Sequence, residues 1–393
     1  MTVCTTETPY LPSPRSYRDA DLNLNRNIFV ETALGYALSY IATVTSPVIS
    51  PASVTILADN DYYSTPTDLT NDPTTPPRFH NFNVPISKAH KTGLGSSAAL
   101  VTAFTAALLT YYLPKPTLDL ATDSGLRKLH NLAQAAHCAA QGKVGSGFDV
   151  ASAVYGSCLY RRFSPSILSH HVDGPGKAKF ASQLRGVVEE SGETGEWDTE
   201  IRKDAVKVPK GLRLVMCDVS CGSQTPGMVK QVLAWRQNKP EEADAIWAEL
   251  QQANEDLARE LKALAESDAE TALGYERLKQ CFRRIREGIR EMSEKSGVPI
   301  EPPEQTELID ACEAVTGVIG GVVPGAGGYD AISLLIEDKG ETVSELRKLL
   351  ADWTFKGEVD GEEGGGRVSM LGVREEMVGV RVEDAKAYGE YLP

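Results

Sequence analysis

Two glycines and two serines stand together in Gly93-Leu94-Gly95-Ser96-Ser97-Ala98, and a run rich in Ala, Leu and Thr follows at once. Glycine lets the backbone take positive φ and approach a ligand closely. Where such a turn opens a helix, the first amides lack intrahelical acceptors and the helix dipole favours an anion. The serines add hydroxyls that can bond phosphate or sit on Mg²⁺. A helix cap needs only one serine, so the doubled pattern predicts a phosphate cradle. It is not a Walker A loop, because no Gly-Lys-Ser/Thr follows at the spacing of that motif. Lys91 stands two residues upstream. It either offers a point charge to phosphate or is a solvated lysine.

A second group is Ala136-His-Cys-Ala-Ala-Gln-Gly-Lys-Val-Gly-Ser-Gly-Phe-Asp-Val-Ala151. A helix stops at Gly142, and a Gly/Ser turn then presents Asp149 at the start of a new helix. Asp149 reads either as an N-cap or as a general base or electrostatic partner for a nucleophilic oxygen. Phosphoryl transfer rests mostly on positioning and charge stabilisation, with an Asp near the acceptor as a recurring part. His137 shares a helical face with Ala133 and Ala140 and reads as a satisfied core histidine.

The third group, Gly317 to Asp330, holds six glycines between a helix and a strand, more than a plain loop needs. It predicts close backbone approach to a ligand. In Cys221-Gly-Ser-Gln-Thr-Pro-Gly-Met-Val229, Ser223 and Thr225 either touch substrate or cap a helix. The basic residues Arg277, Lys279, Arg283, Arg284, Arg286 and Arg290 could meet substrate phosphate, but a solvated helix face is the plainer reading.

The elements that must position these groups follow from periodicity. Arg26 to Ile41 reads as an amphipathic helix and Val54 to Ala58 as a short strand. Helices follow at about Ser97–Tyr112 and Ser124–Ala140. Leu212 to Cys217 reads as a buried strand, and Gly227 to Glu294 as strongly helical. A helix at 303–315, a strand from Asp330 to Ile336 and a helix near 342–353 complete the pattern. Residues 1–25 read as irregular and 60–78 as a polar, Pro-rich loop. Residues 172–206 read as an exposed insertion or domain boundary, and 357–366 as an acidic surface loop.

The chain has 393 residues, enough for two packed domains. Its net charge of −14 argues against a nucleic-acid surface. The seven cysteines are scattered without a CxxC pair, which predicts neither a zinc site nor a disulfide framework and fits a reducing compartment. Cys217 and Cys221 read as two small residues at a strand end. No apolar run reaches the length of a membrane span, of the order of 18 residues. The first residues lack the basic and apolar parts of a signal peptide, and the last three carry no peroxisomal signal, so cytoplasm is the expectation.

With these residues in place, the chain resembles the GHMP kinase superfamily, named for galactokinase, homoserine kinase, mevalonate kinase and phosphomevalonate kinase. Gly93–Ala98 is similar to its central phosphate-binding motif, and Val323-Pro-Gly-Ala-Gly-Gly-Tyr-Asp330 to its C-terminal motif. Lys91–Ala98, Ala136–Val150 and Gly222–Val229 resemble the phosphomevalonate kinase branch of fungal and plant type. The likeness covers roughly residues 26–390. It implies a two-domain α+β fold, with a ribosomal-S5-like N-terminal domain over 1–205 and a ferredoxin-like C-terminal domain over 206–393. It implies transfer of phosphate from ATP, with Mg²⁺, to 5-phosphomevalonate on the way to isoprenoids and sterols.

Carried over by motif, Gly93, Leu94, Gly95, Ser96, Ser97 and Ala98 would cradle the ATP phosphates, with Ser96 or Ser97 on Mg²⁺. Asp149 would be the catalytic aspartate, and Lys91 and Ser146 would face phosphate. Gly147, Ser223, Thr225, Gly325, Ala326, Gly327 and Gly328 would complete the substrate side. The resemblance also implies a monomer or homodimer with no nucleic-acid or membrane partner. Mevalonate kinases carry a Mg²⁺-binding Glu where this chain has His137, which favours the phosphomevalonate branch.

The family opens with a strand and a Pro-Gly-Lys type motif, and nothing in residues 1–60 matches it. The expectation is therefore an N-terminal domain without its opening strands, poorly stable and weakly active. No gain in rate on restoring in-frame upstream sequence would count against it. Mevalonate kinase activity, diphosphomevalonate decarboxylase activity or a catalytically impaired GHMP-fold regulator stay open as alternatives.

Overall fold

The computed structural model describes residues 2–7, 26–46, 52–63, 78–79, 89, 91–169, 177, 179–191, 196–219, 225–267, 275–355, 358–359, 362–363 and 367–391. The first half is a helical layer. Its helices are α1 (Ile28–Val44), α2 (Ser96–Tyr112), α3 (Asp123–Gln141), α4 (Phe148–Tyr155), the short α5 (Ser166–Ser169) and α6 (Phe180–Glu189). Asn27 caps α1 through its side-chain oxygen, which accepts from the amides of Phe29 and Val30. Thr122 caps α3, and Gly142 ends it in the left-handed conformation. Helix α2 is apolar on nearly all sides because α1, α3 and α4 surround it.

Two small ladders accompany these helices. Strand β1 (Thr2–Glu7) pairs antiparallel with β2 (Ala52–Leu57), and β3 (Leu159–Arg161) with β4 (Glu200–Arg202). A 3₁₀ turn at Asn60–Tyr62 follows β2, and Tyr63 bridges to Lys91.

The second half is a sheet covered on both faces. Its elements are β5 (Leu212–Val219), α7 (Thr225–Asn238), α8 (Pro240–Glu266), α9 (Glu276–Ser296), α10 (Pro303–Glu313), β6 (Val318–Val322), β7 (Ala331–Glu337) and α11 (Gly340–Ala351), then the short pair β8 (Glu358–Val359) and β9 (Glu362–Glu363), and β10 (Val368–Met370). The antiparallel order is β10-β5-β7-β6. Alternation assigns the faces. Val215, Cys217, Ile332, Leu334 and Ile336 pack with Leu308 and Ile309 of α10 and Leu346 of α11. Leu212, Ile319 and Leu335 pack against Leu261 of α8 and Leu278 and Phe282 of α9. Residues 371–380 then run back to the first half, where the Ser157 amide donates to the Glu376 carbonyl at 2.7 Å and the Val380 amide to that of Val154 at 3.1 Å.

Four expectations need correction. Residues 2–7 form a strand rather than irregular chain, so a strand does open the described N-terminal part. The polar stretch 60–78 contains the 3₁₀ turn, which returns the chain to Lys91. Within 172–206, helix α6 buries Phe180, Leu184, Val187 and Val188, and Trp197 is buried beside them. Average composition hid a helical period, because the four apolar residues are diluted by Gly, Glu and Lys on either side. The basic residues of α9 are not one solvated face. Arg286 is buried among Glu301, Asp310 and Glu313. Five cysteines are free among the described residues.

Candidate active site

The first glycine motif is held from behind. The Thr92 hydroxyl donates to the Asp61 carbonyl at 2.6 Å, and its amide to that of Tyr62 at 3.3 Å. Lys91, on the same extended piece, is exposed. Gly95 is the N-cap of α2 at φ 69°, with no side-chain cap, and the first helical bond runs from the Ala99 amide to the Gly95 carbonyl. The amides of Ser96, Ser97 and Ala98 therefore precede the helical ladder and have no intrahelical acceptor.

The second motif is built in the same way. After α3 stops, Tyr160 donates its hydroxyl to the Ser146 carbonyl at 2.8 Å, and Arg162 donates to that of Val144 at 3.0 Å. These bonds shape the turn that enters α4. Its N-cap is Gly147 at φ 85°, again without a side-chain cap. A Cβ at Gly147 would lie 2.6 Å from the Tyr160 hydroxyl and 2.7 Å from Gln134 Oε1, so only glycine fits. Asp149 falls in the first turn of α4 and is not the cap. Its Oδ1 accepts from the Val150 amide at 2.9 Å.

The two helix starts converge. A Cβ built on Gly95 would lie 3.3 Å from the Asp149 Cβ. Ser97 Oγ lies 3.1 Å from His137 Nε2, and the same nitrogen lies 4.0 Å from Asp149 Oδ2. The Gln141 amide, one turn on, is 3.3 Å from that nitrogen. Burial pushes His137 below its ordinary pKa, with the Asp149 carboxylate pulling the other way. In a neutral imidazole with its proton on Nδ1, the one Nε2 lone pair is shared between the Gln141 amide and the Ser97 hydroxyl, which can donate a hydrogen bond to it and so be oriented. Two helix N-termini without side-chain caps, lying side by side at a carboxylate and a hydroxyl, can hold an anion and a hard cation together. Ser97 Oγ and Asp149 Oδ2, both near one imidazole nitrogen, are oxygen donors of the kind Mg²⁺ takes, usually with phosphate and water filling its other positions. Among the described residues no group of three or more His, Cys, Asp or Glu side chains could hold a metal alone.

The structure thus brings Gly93–Ala98, Ser146, Gly147 and Asp149 together, and adds His137. It is buried and hydrogen-bonded, as the core-histidine reading expects, and the structure adds that its partner is Ser97 of the first motif. Gly325, Ala326, Gly327 and Gly328 form a turn whose contacts are with Ile300, and Tyr329 next to it accepts from Gln305. Ser223 and the side chain of Thr225 lie outside the described residues. A cavity of about 710 Å³ runs along α2 and α4 from Ala99 and Ser152 onward, covered by residues 374–385. None of the sequence-predicted site residues lines it. Its helix flanks have their amides already spent in the helical ladder, so the convergent N-termini are the better candidate for phosphate chemistry.

The class follows from this fold and site. Residues 78–157 match the family model of the GHMP kinases N terminal domain, and residues 261–353 that of the GHMP kinases C terminal. The crystal structure of a Lin0012 protein from Listeria innocua shares the fold, with a TM-score of 0.62 at 19% identity over 93% of this chain and 89% of that one.

Closer relatives narrow it. A phosphomevalonate kinase of Gibberella zeae is 52% identical over 94% of this chain and 79% of its own length. That of Aspergillus fumigatus is 50% identical over 93% and 76%, and a peroxisomal phosphomevalonate kinase of Arabidopsis thaliana is 34% identical over 82% and 75%. The chain belongs to the phosphomevalonate kinase family of GHMP kinases. Among its described residues, no helix is long and apolar enough to cross a membrane.

Proposed function

We propose that this chain transfers the γ-phosphoryl group of ATP to the phosphate of 5-phosphomevalonate, giving ADP and 5-diphosphomevalonate. The observation that carries the reading is the meeting of two uncapped helix N-termini at Gly95 and Asp149. Such a pair suits a reaction in which two phosphate groups must approach each other. Gly93, Leu94, Gly95, Ser96, Ser97 and Ala98 cradle the ATP phosphates through their amides and hydroxyls. Ser96 or Ser97 would hold Mg²⁺, which when bound would neutralise phosphate charge.

The acceptor sets the role of Asp149. A phosphate monoester has its second pKa near 6, so its oxygen is already largely ionised at neutral pH. Little proton abstraction is needed; Asp149 acts by holding charge and geometry, and the repulsion between carboxylate and phosphate is offset by cations. Lys91 is the exposed cation beside the loop and serves that purpose. In the transfer, the bond from the γ-phosphorus to the β,γ-bridging oxygen breaks as the acceptor oxygen bonds to that phosphorus, and ADP leaves with the bridging oxygen.

Ser146, Gly147, Ser223, Thr225 and Gly325 to Gly328 are assigned to the substrate side. The domains are 1–205 and 206–393, with the site between them, and the enzyme is a monomer or homodimer. Cytoplasm is its compartment, in keeping with scattered cysteines. The test is ADP release with mevalonate, 5-phosphomevalonate and 5-diphosphomevalonate offered separately. Turnover on 5-phosphomevalonate is expected; turnover on mevalonate alone overturns the assignment.

A further inference from the structure

The basic stretch on α9 contains a group that the phosphoryl-transfer site does not use. Arg286 is buried on α9, and its guanidinium reaches Glu301, whose side chain is fully buried. Glu301 Oε1 alone collects four donors: Nε and an NH₂ nitrogen of Arg286 at 3.1 and 2.8 Å, Arg290 at 3.1 Å and the Thr306 hydroxyl at 3.0 Å. Arg286 also reaches Asp310 at 2.7 Å and Glu313 at 3.4 Å. A buried ion pair pays a large desolvation penalty and is weak evidence for stability. Its value must be sought in what it orients.

What it orients is the turn between α9 and α10. Ser293 Oγ accepts from the amides of Ile300 and Glu301 at 3.2 and 3.4 Å, which ties the turn to α9 a second time. Ile300 in turn carries the third glycine loop. The Gly328 amide donates to the Ile300 carbonyl at 2.9 Å. A Cβ at Gly327 would lie 2.4 Å from that carbonyl oxygen and 2.4 Å from Ile300 Cγ2, so the loop backbone rests directly on Ile300. Gln305, at the start of α10, donates to the Tyr329 carbonyl at 2.7 Å. A displacement of Ile300 therefore passes directly to Gly327 and Gly328.

We propose that Arg286 and Glu301 are positioning residues for the Gly325–Gly328 loop, setting it through the 298–302 turn for its part in phosphoryl transfer. The functional half of this rests on the reading that the loop lines the reaction site. Glu301→Gln in the full chain is the first test. Arg286 keeps Asp310 and Glu313 as partners, and Arg290 can turn to solvent, so no uncompensated buried cation is created.

Two readouts separate the parts. Hydrogen exchange at the Gly328 amide is expected to lose protection while the β5 and β7 amides keep theirs. The kcat for 5-phosphomevalonate is expected to fall about 10- to 100-fold, the order that follows a displacement of about an ångström at a reacting centre. Arg284→Gln is the control, since Arg284 sits on the same helix but bonds Asp256 and Glu249 of α8 instead. Unchanged Gly328 protection overturns the proposal. A loosened loop with unchanged kcat keeps the positioning and overturns the loop's place at the reaction site. If Glu301→Gln does not accumulate folded, Ser293→Ala keeps every charge, removes the hydroxyl that ties the Ile300 and Glu301 amides to α9, and is read the same way.

Discussion

Gly95→Ala tests whether the closeness of the two helix starts is what the chemistry needs. Gly95 sits at φ 69°, and an L side chain in the left-handed region costs about 1–2 kcal/mol. Part of that is offset, since alanine removes about 0.4–1 kcal/mol worth of unfolded-state freedom. The expected net loss of stability is thus about 1 kcal/mol. The new methyl would stand 3.3 Å from the Asp149 Cβ, a contact that forces a shift of a few tenths of an ångström. Asp149 has little slack, because its carboxylate is tied to the Val150 amide at 2.9 Å and faces His137. About 10²-fold is lost for a misplacement of about an ångström, so a shift of a few tenths is expected to lower kcat about 3- to 10-fold. Gly211→Ala supplies the strain alone: Gly211 has φ 86° and no atom within 4 Å of a built Cβ. Urea unfolding and coupled ADP release on both variants separate strain from displacement. If Gly95→Ala loses no more kcat than Gly211→Ala at equal loss of stability, the convergence of α2 and α4 is not catalytic and the reasoning fails.

Asp149→Asn keeps the shape and removes the charge; kcat should fall by about 10²-fold or more, and an unchanged rate in the ADP assay would take Asp149 out of the mechanism. His137→Leu should lower kcat about tenfold by releasing Ser97, with His137→Gln, which can still bond the hydroxyl, recovering part of it in the same assay. His130 provides a pH test of stability. Burial lowers its pKa from 6.5 to about 4 in the folded chain. Between those values the unfolded chain binds more protons, so stability is full above pH 6.5 and is lost as pH falls toward 4. The total loss is on the order of 3 kcal/mol. The urea midpoint of wild type should fall relative to that of His130→Gln as pH drops across that range; parallel curves would refute the buried neutral histidine.

Much of the site was legible because its parts are local. A glycine followed by a helix-forming run specifies a turn with unused amides whatever surrounds it, and both Gly95 and Gly147 announce themselves in that way. Asp149 was found as a residue beside such a turn, although the local pattern could not say whether it capped the helix; Gly147 holds that place. Helix α6 was missed for the opposite reason. Its apolar residues are few and set among Gly, Glu and Lys, and only their docking on Trp197 and the first core makes the helix worth forming. His137 is the buried, hydrogen-bonded histidine that its helical face predicts, but that its partner is Ser97 is not legible in the sequence.

By itself the sequence determined the phosphate chemistry, the family, and the helices and strands that carry strong periods. These depend on residue types and short spacings along one chain. The tertiary structure decided which of those pieces meet. It set Gly95 against Asp149, 54 positions further along the chain, and put His137 within reach of both starts. It also buried Arg286, which the charge pattern had left in solvent, against a turn fifteen residues further on. Each of these is a contact across the fold, fixed by the packing of helices and sheet rather than by neighbouring residues, and no local pattern encodes it.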